Sequence, residues 1–238
     1  MIGFVRAVLF YVVFFGGTFC LSAAGTVVYL VAPTKIRTFA VLWARLGVWA
    51  ARAVCDIRLE VTGMENIPEG PALIASRHQS AFDTMVWFLL VPRCTYVLKQ
   101  ELLKIPLMGR LIGATGMIAV DRDGGARTIR TLVKAGVAAA KNNRQIVIFP
   151  EGTRAAPGAL LPLQPGVAAL ASATGLPVIP VLTDSGLFWG RRAFRKVPGT
   201  IHIVIRPALP PKMGREALML RLRQELETGI EATDRPGG

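Results

Sequence analysis

The heptapeptide Arg77-His78-Gln79-Ser80-Ala81-Phe82-Asp83 lies between two apolar runs, Leu73-Ile74-Ala75 before it and Thr84-Met85-Val86-Trp87-Phe88-Leu89-Leu90 after it. The first run is short enough for a strand and the second reads as a helix, so His78 falls in the loop that joins them. Ser80 followed three positions later by Asp83 has the pattern of a capping box, with Ser80 at the N-cap and Asp83 in the first turn. Residues five apart share no face of a regular helix, so His78 and Asp83 meet only if the helix starts between them, where the capping signal puts it. There Asp83, kept anionic by the positive end of the helix dipole, accepts a hydrogen bond from one imidazole nitrogen and leaves the other free as a base. Such a dyad has no serine of its own, so the hydroxyl it activates belongs to a substrate. On spacing alone, a plain capping aspartate beside a loop histidine is the competing reading.

The same alternation of strand and helix continues on both sides. Residues 57–63 alternate apolar and polar like a half-buried strand, and Thr95-Tyr96-Val97-Leu98 and Met117-Ile118-Ala119-Val120 read as two more. Residues 99–109 read as a short helix closed by Pro106, and 128–141 as an amphipathic helix with Ile129, Leu132, Val133 and Val137 near helical spacing. Ile146-Val147-Ile148-Phe149 is continuous and β-branched, as in a strand buried on both faces. The fold class expected is α/β: a single layered domain over 56–238, with a mostly parallel sheet flanked by helices. A last helix over 215–230 carries Leu218, Leu222 and Leu226 at four-residue steps and packs one face on the domain, and 234–238 are expected to fray.

Sites in parallel sheets gather at the carboxyl ends of the strands, and His78, Arg122 and Glu151-Gly152-Thr153-Arg154 are all expected there. Arg122 and Arg154 offer the planar, permanently charged fork that clamps a phosphate; Gly152 lets backbone approach a ligand, Thr153 adds a hydroxyl, and Lys99 extends the positive site. The competing reading pairs Arg122 with Asp121 or Asp123 in a surface turn, and Glu151 with Arg154. Backbone amides near the start of the dyad helix are candidate donors to a reaction oxyanion. His202, within Ile201-His202-Ile203, reads as a structural strand residue.

Residues 7–32 contain no charge, long enough as a helix to cross a hydrocarbon core, and Pro33 stops them. Residues 39–54 are also apolar but carry Arg45 and Arg52 on one face, with Trp43 and Trp49, as an interfacial helix does. Residues 1–55 are therefore read as a two-helix membrane anchor, either a spanning helix with a surface-lying second one or a hairpin confined to one leaflet. A cleaved signal peptide, suggested by Arg6 and Ser22-Ala23-Ala24, competes less well because the apolar run continues unbroken past the cleavage position. Lys35, Arg37, Arg45 and Arg52 follow the first helix and only Arg6 precedes it, which puts the catalytic side in the cytoplasm.

Twenty-eight Lys and Arg against fifteen Asp and Glu give a net charge of +13, and hydrophobic residues make up 52% of the chain, with mean hydropathy +0.46. An anionic membrane accounts for both figures, and no nucleic-acid motif accompanies the charge, so no nucleic-acid partner is expected. Residues 187–196 mix aromatic and basic side chains, as in a loop that touches an anionic bilayer or a solvated basic loop with buried aromatics. Cys20, Cys55 and Cys94 form neither a disulfide framework nor a zinc set, and no metal is implied. No feature of the sequence bears on oligomeric state.

His78-Gln79-Ser80-Ala81-Phe82-Asp83 resembles the HxxxxD motif of the glycerolipid acyltransferase family. Three further segments resemble that family's other blocks in the same order: Gly116-Met117-Ile118-Ala119-Val120-Asp121-Arg122, Phe149-Pro150-Glu151-Gly152-Thr153-Arg154 and Leu176-Pro177-Val178-Ile179-Pro180-Val181. The resemblance covers roughly residues 60–210 and is nearest to bacterial members that acylate 1-acylglycerol 3-phosphate. It implies transfer of an acyl chain from acyl-CoA or acyl carrier protein to the free hydroxyl of lysophosphatidic acid, without a further cofactor, at the cytoplasmic face of a bacterial inner membrane. In that scheme His78 is the base, Asp83 orients it, and Arg122, Glu151, Gly152, Thr153, Arg154 and Lys99 bind the acceptor's phosphate and glycerol. The same chemistry on lyso-ornithine lipid, another lysophospholipid or glycerol 3-phosphate is one alternative, and a non-enzymatic membrane-binding protein is another.

Overall fold

The computed structural model describes residues 2–122 and 124–230 and opens with a helical hairpin. Helix α1 (Ile2–Val31) ends just before Pro33, which lacks an amide hydrogen and begins a short 3-10 turn, Pro33–Lys35. Helix α2 (Ile36–Cys55) runs back and is closed by Asp56 in the left-handed region at φ 53°. The remainder alternates: β1 (Ile57–Thr62), β2 (Ala72–Ser76), α3 (Asp83–Leu90), β3 (Cys94–Lys99), α4 (Met108–Ala114), β4 (Ile118–Val120), α5 (Ala126–Lys141), β5 (Gln145–Ile148), α6 (Gly166–Thr174), β6 (Val178–Thr183), α7 (Ser185–Phe188), β7 (Gly199–Ile205) and α8 (Arg215–Glu227).

The strands form one seven-stranded sheet in the order β1-β7-β6-β2-β5-β3-β4. Every neighbouring pair is parallel except β6 and β7, so the predicted mostly parallel α/β sheet is present with a reversed edge. The central strands are buried on both faces and divide their side chains by the two-residue period of a strand. Ala72 and Ile74 of β2, Val147 of β5 with Phe149 beyond it, and Ile201, Ile203 and Ile205 of β7 enter one core with α1, α2 and α3. Leu73, Ala75, Ile146, Ile148 and Val204 enter the opposite core with α5, α6 and α8, where Leu218, Leu222 and Leu226 are all buried as expected.

The hairpin belongs to the first of these cores. Phe10 of α1 is fully buried against Trp189, with ring centroids 4.9 Å apart, and Ala44, Ala50 and Ala51 of α2 are equally closed off. At Gly47 a Cβ would come within 2.3 Å of Met85 Sδ, so glycine permits the close packing of α2 on α3. The opposite side of α1 leaves Val5, Val8, Leu9, Val12, Phe15 and Phe19 exposed. Globular-domain residues accompany α1 along its length: Phe194 lies 5.5 Å from Phe4, and Leu111 of α4 faces Gly25.

Two local expectations are corrected. Asp83 is in the first turn of the dyad helix as expected, but the N-cap is Phe82 rather than Ser80, and residues 80–82 form the turn that leads into it. Residues 99–109 are not one helix: Lys99 ends β3, Gln100–Lys104 is a 3-10 segment, and Ile105 is extended at ψ 124°, as a residue before proline prefers. Met108 N–H then bonds Pro106 O at 2.6 Å across Leu107, whose φ of 61° makes a tight turn of the strained hand before α4 begins. The tail 234–238 lies outside the described residues, as does Asp123, the second carboxylate considered for Arg122.

Candidate active site

The sequence places His78 just beyond the end of β2, and four contacts hold it there. Its amide donates to Glu151 Oε2 at 3.1 Å, and its carbonyl accepts from Ala155 N–H at 2.8 Å, so the segment after β5 grips the His78 backbone from both sides. Its ring lies flat on Phe149, centroids 4.0 Å apart and planes 17° from parallel. Its Nδ1 is 3.1 Å from Asp83 Oδ2.

That carboxylate oxygen also accepts the amides of Gln79 at 2.7 Å and Ser80 at 2.8 Å, while Ser80 Oγ accepts from Phe82 N–H at 3.1 Å. The reciprocal bonding of a capping box is therefore present one turn ahead of the regular helix. An ionised Asp83 is an acceptor only, so Nδ1 carries the proton and Nε2 is left with its lone pair. The amides of Gln79, Ser80 and Phe82 are committed to these bonds, which removes them from the candidate oxyanion donors.

His78 lines a half-open cavity of about 680 Å³ between the hairpin and the sheet's carboxyl end. One arm is apolar, walled by Phe14 of α1, Phe39 and Trp43 of α2, Phe88 of α3 and Leu111 of α4. The other end is cationic, where Lys99, Arg122, Arg154 and Arg191 face in beside Thr153. Such a shape accepts a long apolar chain with its reactive carbon at His78 and an anionic group beyond it.

The cationic side chains differ in how free they are. Lys99 Nζ lies 3.3 Å from Glu101 Oε1, both about half exposed. Arg122 Nη1 donates to the carbonyl of Gly152, which turns at φ 70°. Burial lowers the pKa of Arg122 and of Arg154 from the ordinary value, yet a guanidinium stays charged at neutral pH. Glu151 points away from the cavity: its side chain is fully buried, holds the His78 amide and faces Arg77 Nη2 at 3.9 Å. Burial raises its carboxyl above the ordinary range, with the His78 amide and the Arg77 charge acting against the rise.

Three contributors escaped the sequence reading. Phe149 supports the imidazole, Tyr96 lies beneath Phe149 at 6.1 Å and donates its hydroxyl to Asp83 O at 3.3 Å, and Arg191 enters the cavity from a loop outside every motif. Phe149 was within reach, because it continues the alternation of β5 on the face that carries Val147. His202 is structural as expected: its amide and Nδ1 each bond Asp184 at 2.7 Å, which ties β7 to the start of α7.

Comparison with known proteins gives a consistent picture. The family model described as Acyltransferase matches residues 58–184. The chain is 35% identical over 234 residues to a 1-acyl-sn-glycerol-3-phosphate acyltransferase of Pseudomonas aeruginosa, covering 96% of this chain and 90% of that one. It is 29% identical over 157 residues to human 1-acyl-sn-glycerol-3-phosphate acyltransferase beta, covering 65% of this chain and 56% of the human protein's length. The crystal structure of PlsC, the 1-acyl-sn-glycerophosphate (LPA) acyltransferase of Thermotoga maritima, has the same fold, with TM-score 0.69 at 22% identity over 98% of this chain and 97% of that one.

Proposed function

Because this chain belongs to the acyltransferase family, we propose that it moves an acyl chain from a thioester to the sn-2 hydroxyl of 1-acylglycerol 3-phosphate, giving phosphatidic acid. The single observation that carries the mechanism is the Nδ1 to Asp83 contact at 3.1 Å on a histidine that lines the cavity. Nε2 takes the proton of the acceptor hydroxyl as its oxygen attacks the thioester carbonyl. Asp83 fixes the tautomer and stabilises the imidazolium. When the tetrahedral intermediate collapses the C–S bond breaks, the imidazolium returns the proton to sulfur, and a free thiol leaves with the ester formed.

The apolar arm suits the acyl chain and the cationic end suits phosphate, with Arg154 and Thr153 as acceptor contacts and Lys99 and Arg122 beside them. Gly152 serves through its carbonyl, and Glu151 by holding the histidine's backbone. The donor is acyl-CoA or acyl carrier protein, both anionic and matched to the chain's positive charge.

Residues 1–55 serve as the membrane element and 56–238 as the catalytic one. Helix α1, about 45 Å long at 1.5 Å per residue, is flanked at both ends by the same globular domain, which supports a hairpin lying in one leaflet over a transverse span. The basic residues that follow α1 favour the cytoplasmic face.

The test is release of free thiol from acyl-CoA or acyl carrier protein by detergent-purified protein, with lysophosphatidic acid as acceptor. Wild type turns over, while folded His78→Ala and Asp83→Asn variants lose most activity. Silence with every donor and lysolipid would overturn the enzymatic reading.

A further inference from the structure

Arg191 stands outside the four motif segments, yet it faces the same cavity as His78 and Arg154. Its Nη1 donates to the main-chain carbonyl of Arg154 at 3.4 Å. Neither arginine forms an ion pair among the described residues. Repulsion from Arg191 acts with the larger effect of burial to lower the Arg154 pKa, against attraction from Asp83. Two guanidiniums that face one cavity repel each other until an anion joins them. At the same end Lys99 pairs with Glu101, and Arg122, like Arg191, donates to a main-chain carbonyl, that of Gly152.

Arg191 is also held in place from behind. Lys196 Nζ, in a residue only 7% exposed, donates to Tyr11 Oη at 2.9 Å, Ala193 O at 2.9 Å and Phe194 O at 3.1 Å. The same ammonium lies 4.4 Å above the Tyr11 ring and 5.4 Å from that of Trp189. Phe194 packs on Tyr11 at 5.3 Å. The loop that presents Arg191 is thus fastened to the N-terminal half of α1, beside that helix's exposed apolar face.

We propose that Arg191 is the second cation, with Arg154, of a site for the phosphate monoester of the acceptor lipid, and that it sets a preference for monoester over phosphodiester lysolipids. A phosphate monoester carries about −1.5 to −2 charge at neutral pH, matching two permanently charged forks, whereas a phosphodiester carries one charge and fewer free oxygens. The proposal rests on the acyltransferase reading for the identity of the acceptor, and on the two arginines that line one cavity for the anion.

The experiment compares wild type, Arg191→Ala, Arg191→Lys and, as a control on the same loop, Arg195→Ala in detergent micelles, with thermal melts to establish folding. Substrates are lysophosphatidic acid, a monoester, and lysophosphatidylglycerol, a diester. Arg191→Ala is expected to raise the KM for lysophosphatidic acid about tenfold, with kcat and the donor KM within about threefold of wild type, and to leave the diester's KM nearly unchanged. Arg191→Lys recovers part of the loss and Arg195→Ala none is needed, because its values match wild type. Equal losses on both lysolipids, or a rise confined to the donor KM, overturns the proposal. Equilibrium binding of lysophosphatidic acid by calorimetry separates it from the enzymatic reading. Binding about tenfold weaker in Arg191→Ala upholds the anion site even if wild type proves silent, and equal binding refutes it.

Discussion

The imidazole of His78 rests face to face on the ring of Phe149, with centroids 4.0 Å apart, so the proposed base is held from beneath as well as from the side. Asp83 alone fixes one ring atom; the aromatic platform fixes the plane. Phe149→Leu keeps the apolar volume near the ring but loses the flat support. It is expected to lower kcat about tenfold with little change in KM, since small misplacements of a base are costly, and single-turnover rates check this.

Asp83→Asn keeps the shape of the side chain but offers an amide where Oδ2 now accepts three hydrogen bonds, two from main-chain amides and one from Nδ1. The expected outcome is a fall in kcat of about 10²–10⁴-fold, the range assigned to a positioned general base. Asp83→Ala should lose about as much activity and more stability, because two buried amides are left unpaired. Steady-state rates with thermal melts separate the two.

Glu151 gives a pH dependence of stability rather than of rate. Burial raises its folded pKa above that of the unfolded chain, so the native state holds a proton that the unfolded state has released. Its contribution is fully present below the unfolded value, near the ordinary carboxyl range, and is lost as pH rises through the folded one. Glu151→Gln removes that slope while keeping an acceptor for the His78 amide. Urea midpoints measured across the acid range should therefore flatten in the variant.

The apolar arm can be shortened from α2, because Ala40 lines it. Ala40→Phe is expected to reduce kcat/KM for long-chain donors about tenfold or more while sparing short ones, since each methylene excluded forfeits about 0.8 kcal/mol. A series of acyl-CoA lengths measures it. Uniform loss at every length would instead indicate a displaced helix.

Lys196 is a buried cation held by three acceptors and three aromatic rings. Lys196→Met keeps the apolar stem and leaves the acceptors unmatched. A loss of about 2 kcal/mol follows from the hydrogen bonds and cation–π contacts together. Denaturant unfolding in detergent tests it.

Much of this was legible in the residues themselves. The two-residue period of β1 and the β-branched run of β5 are local signals that report elements where they read, and the capping pattern around Ser80 reports a turn just ahead of the helix it leads into. The dyad followed from them because its members are five apart. The break at 99–109 was harder: Lys-Gln-Glu-Leu-Leu is helical in propensity, and the preference of Ile105 for extended backbone before Pro106 won locally. Glu151 shows a different limit. An acidic residue at the end of a strand looks like a ligand from sequence, and only the packing of the loop after β2 against it reveals a side chain turned inward. Arg191 was legible only as part of a basic, aromatic loop and not as a cavity residue, because its place depends on Lys196 closing on Tyr11 across 185 residues of chain.

The core shared by the hairpin and the sheet bears on how the enzyme can be handled. Phe10 and Phe14 occupy the same packed volume as Phe82, Met85 and Trp87, so the apolar hairpin and the rest of the tertiary structure are not separable parts. A fragment trimmed to begin at residue 56 would bare that interior to water and lose a wall of the substrate cavity with it. Handling this catalyst is therefore a problem of covering the exposed apolar face of α1 on an intact chain, with detergent or nanodisc, and not one of cutting that end away.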